Sequence, residues 1–210
     1  MLQYQVIPVT SFQQNCSLVW CDQTNEAVLI DPGGDIDLLL NAVAHQNVDL
    51  KQIWLTHGHL DHVGATAELK ARLKIPVTGP HIDDKFLLDA IPQQCQMFGF
   101  SSVEKFLPDH WINEDTILTL GNEIFSVLYT PGHTPGHIVI KYDEKKLLWV
   151  GDVLFHGSIG RTDFPRGNHE ELLISIKNKL LTLDDKYRFI PGHGPESTIG
   201  EERLHNPYLI

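Results

Sequence analysis

The sequence predicts an α+β fold in which two mixed sheets pack face to face and helices cover their outer surfaces. Short β-type runs are followed by amphipathic helical stretches, and this order begins again in the second half of the chain. The composition, 42% hydrophobic and 20% charged, is that of an ordinary globular protein. With 210 residues, no linker and no repeat, residues 1–210 are expected to form a single domain.

The first half supplies strands and then helices. We expect strands at residues 6–9, 17–20, 27–30 and 53–55. Asp35 is expected to cap a helix whose apolar residues recur with helical spacing at Ile36, Leu39, Leu40, Val43 and Ala44. Further helices are expected over about 62–73 and 83–90, whereas residues 91–113 show no clear period.

The second half repeats this order. Strands are expected at residues 117–120, 124–129, 138–142, 147–150 and 188–190. Asn168 with Glu171 is expected to begin a helix that carries Leu172, Leu173, Ile176 and Leu180. A terminal helix is expected from about Gly200.

Charge and composition exclude several classes of protein. The formal net charge of −11 disfavours nucleic acid and anionic membranes as partners, because a surface this acidic repels phosphate groups. Three cysteines form no disulfide framework, and neither a signal peptide nor an apolar run of about 20 residues is visible. We therefore expect a cytoplasmic protein that binds neither nucleic acid nor membrane, and no obligatory protein partner is evident.

Histidine is unusually frequent, with 12 residues against 2 Met and 5 Tyr. Three imidazoles and one carboxylate fall within six residues, at His57, His59, Asp61 and His62. In extended backbone His57 and His59 project to the same side, and Asp61 and His62 stand where the next helix begins. Crowding three ionisable rings costs stability unless a cation organises them, so we interpret this segment as a metal-binding loop and not as a solvated one.

More candidate ligands follow other predicted strands. His133 and His193 each come after a strand that ends in Pro-Gly, and Asp152 follows the strand at 147–150. His137 repeats the Pro-Gly-His triplet but precedes a strand, so we expect it to support the site from behind or to be structural.

Together these residues predict a dinuclear metal centre. The seven candidates are His57, His59, Asp61, His62, His133, Asp152 and His193. This set exceeds the needs of one tetrahedral zinc and suits two divalent ions that share Asp152, with zinc expected and iron or manganese as alternatives. Such a centre generates hydroxide near neutral pH and stabilises an anionic tetrahedral intermediate, which favours metal-assisted acyl hydrolysis.

The pattern His57-x-His59-x-Asp61-His62, followed by His133, Asp152 and His193, resembles the metallo-β-lactamase-fold hydrolases. The resemblance implies a four-layer αβ/βα sandwich with the metal site at one edge. It implies that His57, His59 and His133 hold one metal, that Asp61, His62 and His193 hold the second, and that Asp152 bridges them. Asp31 matches an aspartate of that family which follows an early strand and supports the loop carrying the metal ligands, although Asp31 could also be a plain turn residue.

Segments 130–137, 151–155 and 160–164 resemble the glyoxalase II branch, and in particular its short bacterial type-II members, which lack an appended C-terminal helical domain. This implies hydrolysis of S-(2-hydroxyacyl)glutathione to a hydroxy acid and glutathione by a metal-bridging hydroxide, with Asp61 also orienting that hydroxide. Arg161 is expected either to bind a substrate carboxylate or to form a surface pair, and His156 to line the pocket.

The same residues are also compatible with other functions. The same branch includes mononuclear-iron persulfide dioxygenases, and the same fold includes lactone and ester hydrolases. A non-catalytic metal-binding module is disfavoured because structural sites close at four ligands. The best-known β-lactamases of this fold carry Cys where Asp152 stands, which argues against that activity. The remaining histidines match no motif and are expected to be ordinary: His45, His81, His110, His169 and His205.

Overall fold

Two sheets packed against each other form the inner layers of the protein. The computed structural model describes residues 1–210. The first sheet contains, in spatial order, β1 (Leu2–Val9), β2 (Gln14–Cys21), β3 (Glu26–Ile30), β4 (Asp49–Trp54) and β5 (Val77–Thr78). Strands β1, β2 and β3 pair antiparallel, whereas β3, β4 and β5 run parallel.

The second sheet has six strands. They are β6 (Ile117–Leu120), β7 (Glu123–Tyr129), β8 (Ile138–Tyr142), β9 (Leu147–Gly151), β12 (Arg188–Pro191) and β13 (Ser197–Thr198). Their spatial order is β13-β12-β9-β8-β7-β6, and only β12 and β9 run parallel. A small hairpin of β10 (Leu154–Phe155) and β11 (Ser158–Ile159) lies between β9 and the following helix in sequence.

Helices form the outer layers. Next to the first sheet are α1 (Ile36–Gln46), α2 (Leu60–Val63), α3 (Thr66–Leu73), α4 (Lys85–Asp89) and α5 (Ile91–Phe98), with a 3-10 turn at Ile82–Asp84. Next to the second sheet are α6 (His169–Ser175), a π-helical turn at Ile176–Leu180, and α7 (Ile199–His205). None of these helices combines the length and hydropathy needed to cross a membrane.

Three apolar clusters fill the three interfaces between the four layers. In β3, Val28 and Ile30 face the second sheet, whereas Ala27 and Leu29 face the helices. In β9, Trp149 faces the first sheet and its neighbours pack on the opposite side. Because side chains alternate along a strand, burial on both faces explains why these strands are apolar almost throughout. The predicted sandwich of two mixed sheets between helices is confirmed.

The predicted side-chain cap at Asp35 is wrong. Asp35 does precede α1, but it adopts a left-handed conformation with φ 49° and its side chain bonds to no helix N–H. Its carboxylate instead accepts a hydrogen bond from the Thr10 amide at 2.6 Å. The side chain therefore ties the β1–β2 turn to the start of α1.

The helix expected over 62–73 is two helices in the structure. The break falls at Gly64–Ala65, where the Ala65 amide donates to Pro32 O at 2.9 Å instead of continuing α2. A side chain at Gly64 would lie 2.4 Å from Gly33 O, so the close approach of these backbones requires glycine. Helix α5 was not predicted, because Pro92 and its polar neighbours leave only a narrow apolar stripe at Ile91 and Cys95.

Candidate metal centre

The structure brings the seven predicted side chains to one place. His57 and His59 follow β4, Asp61 and His62 lie in α2, and the other three lie in the loops after strands β7, β9 and β12: His133, Asp152 and His193. Strands β7, β9 and β12 run in the same direction and therefore end at the same edge of the second sheet, so residues far apart in sequence become neighbours. The side chains form two groups of three with Asp152 between them.

The first group consists of His57, His59 and His133. One ring nitrogen from each lies within 4.8 Å of the others. His133 Nε2 is 3.0 Å from His59 Nδ1, and the His57 ring centroid is 4.9 Å from that of His59. Three imidazole nitrogens facing a common point are a donor set that suits zinc, iron or copper.

The second group consists of Asp61, His62 and His193, with ligand atoms again within 4.8 Å of one another. His193 Nε2 lies 3.1 Å from Asp61 Oδ2, and His62 Nε2 lies 3.9 Å from the same oxygen. This group combines one carboxylate with two imidazoles, the mixture found at many catalytic metal sites.

Asp152 faces both groups. Its Oδ1 is 3.3 Å from His62 Nε2, and its Oδ2 is 3.7 Å from His133 Nε2 and 3.8 Å from His193 Nε2. Gly192 permits this position, because a Cβ there would lie 2.1 Å from Asp152 Oδ1. A carboxylate whose oxygens lie close to members of both groups is arranged to be shared.

Unpaired buried atoms show that this donor set fits cations. His57 Nε2, His62 Nε2 and Asp152 Oδ1 are buried and have no hydrogen-bond partner. A buried polar atom without a partner lowers the stability of the fold. We therefore expect these three atoms to bind something other than a protein group. A divalent cation satisfies all three, since each atom presents a lone pair toward the same region.

The protonation of the side chains agrees with this fit. Burial lowers the pKa of His57 well below its usual range and the pKa of His59 to about 3, so both rings are neutral and able to coordinate. Although burial alone would raise it, His62 and His133 hold the pKa of Asp152 below its usual range. Against the effect of burial, Asp152 and Asp61 raise the pKa of His62, so a cation that binds its Nε2 displaces a proton.

The outward-facing ring nitrogens are held by other protein groups. His133 Nδ1 donates to Arg161 O at 2.7 Å, and His193 Nδ1 donates to Phe12 O at 3.1 Å. His57 Nδ1 lies 3.0 Å from the Thr56 hydroxyl. These bonds select the tautomer in which Nε2 faces inward with its lone pair free.

Asp31 is not a plain turn residue. Its Oδ2 accepts from His62 Nδ1 at 2.9 Å and from the Thr56 hydroxyl at 2.6 Å, and its Oδ1 accepts from the Thr56 amide at 2.7 Å. Asp31 also lies within 4.8 Å of ring nitrogens of His57 and His62. Since its oxygens are already occupied, the geometry favours a role in orienting these two rings.

His137 supports Asp152 from behind. The ring is buried and stacks on His57 with 4.7 Å between centroids. Burial lowers the pKa of His137 well below its usual range, and its neutral Nε2 accepts a hydrogen bond from the Asp152 amide at 3.1 Å. His137 therefore fixes the backbone at Asp152 and is not itself turned toward the two groups of three.

The sequence does not predict the role of Asp84 next to this site. It is fully buried and accepts from the Gly58 amide at 2.9 Å, the Thr134 hydroxyl at 2.8 Å and the Gly136 amide at 2.6 Å. Burial raises the pKa of Asp84 to about 6 even though the three donors lower it, so the group is ionised at neutral pH. One carboxylate thus joins the loop that carries His57 to the loop after β7.

A cavity of about 430 Å³ opens onto the two groups. His59, Asp61, His133, Asp152 and His193 all line it. Its remaining walls are mostly apolar, with five phenylalanines among them: Phe12, Phe98, Phe100, Phe155 and Phe164. A concave apolar pocket with a few converging polar groups is the usual form of a small-molecule site.

Of the two predicted substrate-binding residues, Arg161 lines the cavity and His156 does not. The guanidinium of Arg161 already forms two hydrogen bonds of 2.6 Å with Asp163. His156 does not line the cavity, so that expectation is wrong. Its ring is exposed and turns toward Glu202, at 3.3 Å, because the β10–β11 hairpin packs against α7.

Comparisons with known proteins agree with this geometry. The Metallo-beta-lactamase superfamily matches residues 9–193. Hydroxyacylglutathione hydrolase GloC of Haemophilus influenzae is 49% identical over 209 residues, covering 99% of this chain and 98% of that protein.

Two solved structures are also similar. The BLEG-1 B3 metallo-beta-lactamase is 38% identical with a TM-score of 0.91 and 99% of each chain covered. TTHA1623, determined in a di-iron-bound form, is 36% identical with a TM-score of 0.89, covering 98% of this chain and 100% of that one. The chain belongs to the metallo-β-lactamase superfamily. Its relationship to a curated hydrolase, together with the cluster of His and Asp donors, makes it a metallo-hydrolase.

We expect Asp84→Ala to weaken metal binding by about 10- to 100-fold, because the loops that carry His57 and His133 lose their shared acceptor. Competition with a chromophoric chelator measures the affinity, and circular dichroism confirms the fold. Asp83→Ala is the matched control, since this neighbouring carboxylate is half-exposed and contacts only Tyr129 and His81. Unchanged affinity in folded Asp84→Ala would refute this role.

Proposed function

We propose that this protein hydrolyses the thioester of S-(2-hydroxyacyl)glutathione to a hydroxy acid and glutathione, using two divalent metal ions. The observation that carries the proposal is the pair of three-residue groups that face a single carboxylate, Asp152, at the floor of an open cavity. The choice of thioester is supported by the relationship to GloC, whose name specifies that activity.

In this proposal His57, His59 and His133 would hold one ion, Asp61, His62 and His193 would hold the other, and the two would share Asp152. Zinc is the expected metal, and iron is the main alternative because a similar structure binds two irons. When bound, divalent ions supply a nucleophile at neutral pH and polarise the carbonyl of the substrate. They also offset the negative charge of Asp61 and Asp152.

Asp61 has a second proposed role. It lines the cavity, and its pKa is held below its usual range by His62 and His193 although burial alone would raise it. The group is therefore an ionised acceptor next to the cavity, and it can orient a water molecule for attack. We assign it no separate proton transfer.

The proposed enzyme acts alone on a small molecule. We propose that residues 1–210 form one catalytic domain, and that the protein works in the cytoplasm. All three cysteines are free and buried, which suits a reducing compartment where glutathione is present.

A mononuclear-iron persulfide dioxygenase is the second candidate. It would need ligands for a single iron, which two imidazoles and one carboxylate typically supply. The second group is complete here, and both of its histidines have outward nitrogens held by other groups, His62 by Asp31 and His193 by Phe12 O. A one-metal enzyme has no need of this arrangement, so the structure favours the hydrolase.

Turnover and metal content measured on the same purified sample test the proposal. We expect two metal ions per chain and hydrolysis of S-lactoylglutathione, lost on chelation and restored by zinc, with the far-ultraviolet circular dichroism largely unchanged. Parallel assays use glutathione persulfide with an oxygen electrode, a lactone and a β-lactam. One iron per chain with oxygen consumption would overturn the proposal, and so would turnover confined to the lactone or the β-lactam.

Asp152→Ala is expected to lower kcat/KM by about 10³-fold or more, because the shared carboxylate is worth several kcal/mol to the charged centre. Arg161→Ala is expected to lower it by less than about tenfold, because the guanidinium is exposed and paired with Asp163. Metal content distinguishes the two variants, since only Asp152→Ala should fall below two ions per chain. Similar losses in both would show that Asp152 is not shared.

A further inference from the structure

Phenylalanine is concentrated around the cavity. Five of the nine phenylalanines in the chain line it, and only Phe125 and Phe189 are fully buried in the core. Four of the five form a connected set that we call the phenylalanine rim: Phe12, Phe98, Phe100 and Phe164. These residues come from three separate segments of the chain, so the fold itself assembles the rim.

The rings of the rim contact one another in sequence around the opening. Phe12 stacks on Phe100 at 5.2 Å between centroids, and Phe98 packs edge-on against Phe12 at 6.4 Å and Phe164 at 6.2 Å. Phe164 then lies 4.9 Å from the ring of His59. The apolar surface thus runs from the candidate metal ligands to the mouth of the cavity.

Packing of the core explains only part of the rim. Phe100 packs against the cluster beside the first sheet, whereas Phe98 and Phe164 belong to none of the three apolar clusters and Phe12 is 42% exposed. Partly exposed rings grouped in a concave site next to reactive groups are typical of a surface that a ligand covers. A substrate of the proposed hydrolase must bring its thioester to the metal centre, so the rim is placed to contact the groups attached to the scissile C–S bond.

Apart from the proposed metal ions, the cavity offers one cation, and that side chain is already paired. Arg161 is the only lysine or arginine in the lining. Its Nε and Nη2 bond to Asp163, and its guanidinium lies 4.3 Å over the Phe164 ring. Glutathione carries two carboxylates, which would each need a cationic partner to be recognised by charge.

The neighbouring groove repels carboxylates. It has a volume of about 1020 Å³ and shares Phe12, Phe98 and Phe100 with the cavity, so a long ligand would extend into it. Its single cation, Arg72, is hydrogen-bonded to Glu68 at 3.2 Å. The carboxylates of the groove are Asp35, Asp37, Glu68 and Glu104.

We propose that the phenylalanine rim holds the thiol half of the thioester by stacking and apolar contact, without recognising the carboxylates of glutathione. This inference rests on the proposed hydrolase function. Thioesters of uncharged thiols are then substrates of the same site. The reaction is unchanged: a water oxygen bonds to the acyl carbon, the C–S bond breaks, and the thiol leaves with a proton.

The test compares S-lactoylglutathione with S-lactoyl-N-acetylcysteamine, which keeps the thioester and one amide but has no carboxylate. We expect kcat/KM values within about tenfold of each other. Recognition of two carboxylates would instead cost the truncated substrate about tenfold for each lost charge-assisted contact, or about 100-fold together. A difference of that size would overturn the inference and leave the hydrolase proposal standing. Failure to hydrolyse either thioester would contradict the hydrolase proposal itself.

Phe98→Ala tests the rim directly. It should raise KM for both thioesters by a similar factor, about two- to tenfold, with a smaller effect on kcat and the same metal content. Met97→Ala is the matched control, because Met97 lies in the same helix, is 74% exposed and lies outside the cavity and groove. Unchanged KM in Phe98→Ala, or an equal rise in Met97→Ala, would show that the rim does not bind substrate.

Discussion

The site depends on buried lone pairs that the protein leaves without a partner. The inward nitrogens of His57 and His62 and one oxygen of Asp152 receive no hydrogen bond from the protein. At the same time, other groups occupy the outward nitrogens of the same rings. Such an arrangement is unfavourable unless a cation completes it, because each buried acceptor has lost its water. Metal binding and the local conformation are therefore coupled.

The four-layer sandwich makes this arrangement possible. The central strands of both sheets are buried on both faces, so they are held rigidly and their ends hold the loops in place. Around the ligands, Asp84 joins two loops, His137 holds the amide of Asp152, and Gly192 leaves room for the Asp152 carboxylate. These groups support ligands that come from four different strand ends.

The fold and the residues of the candidate metal centre could be predicted because they leave local signals. Closely spaced histidines follow one apolar run, and Pro-Gly-His follows two other apolar runs, so both patterns indicate where strands end. Strands that are apolar at almost every position indicate sheets that are buried on both faces. Asp84 left no such signal, because its three donors are distant in sequence and nothing in its own segment indicates burial. The prediction for His156 is wrong because successive side chains in extended backbone point to opposite sides. Phe155 faces the cavity, so His156, the next residue, faces Glu202.

Anomalous diffraction from crystals of the purified protein, recorded at the absorption edge of its own metal, locates the bound ions. We expect two peaks, one against His57, His59 and His133 and one against Asp61, His62 and His193, with the Asp152 carboxylate in contact with both. A single peak, or a second ion away from Asp152, would contradict this expectation.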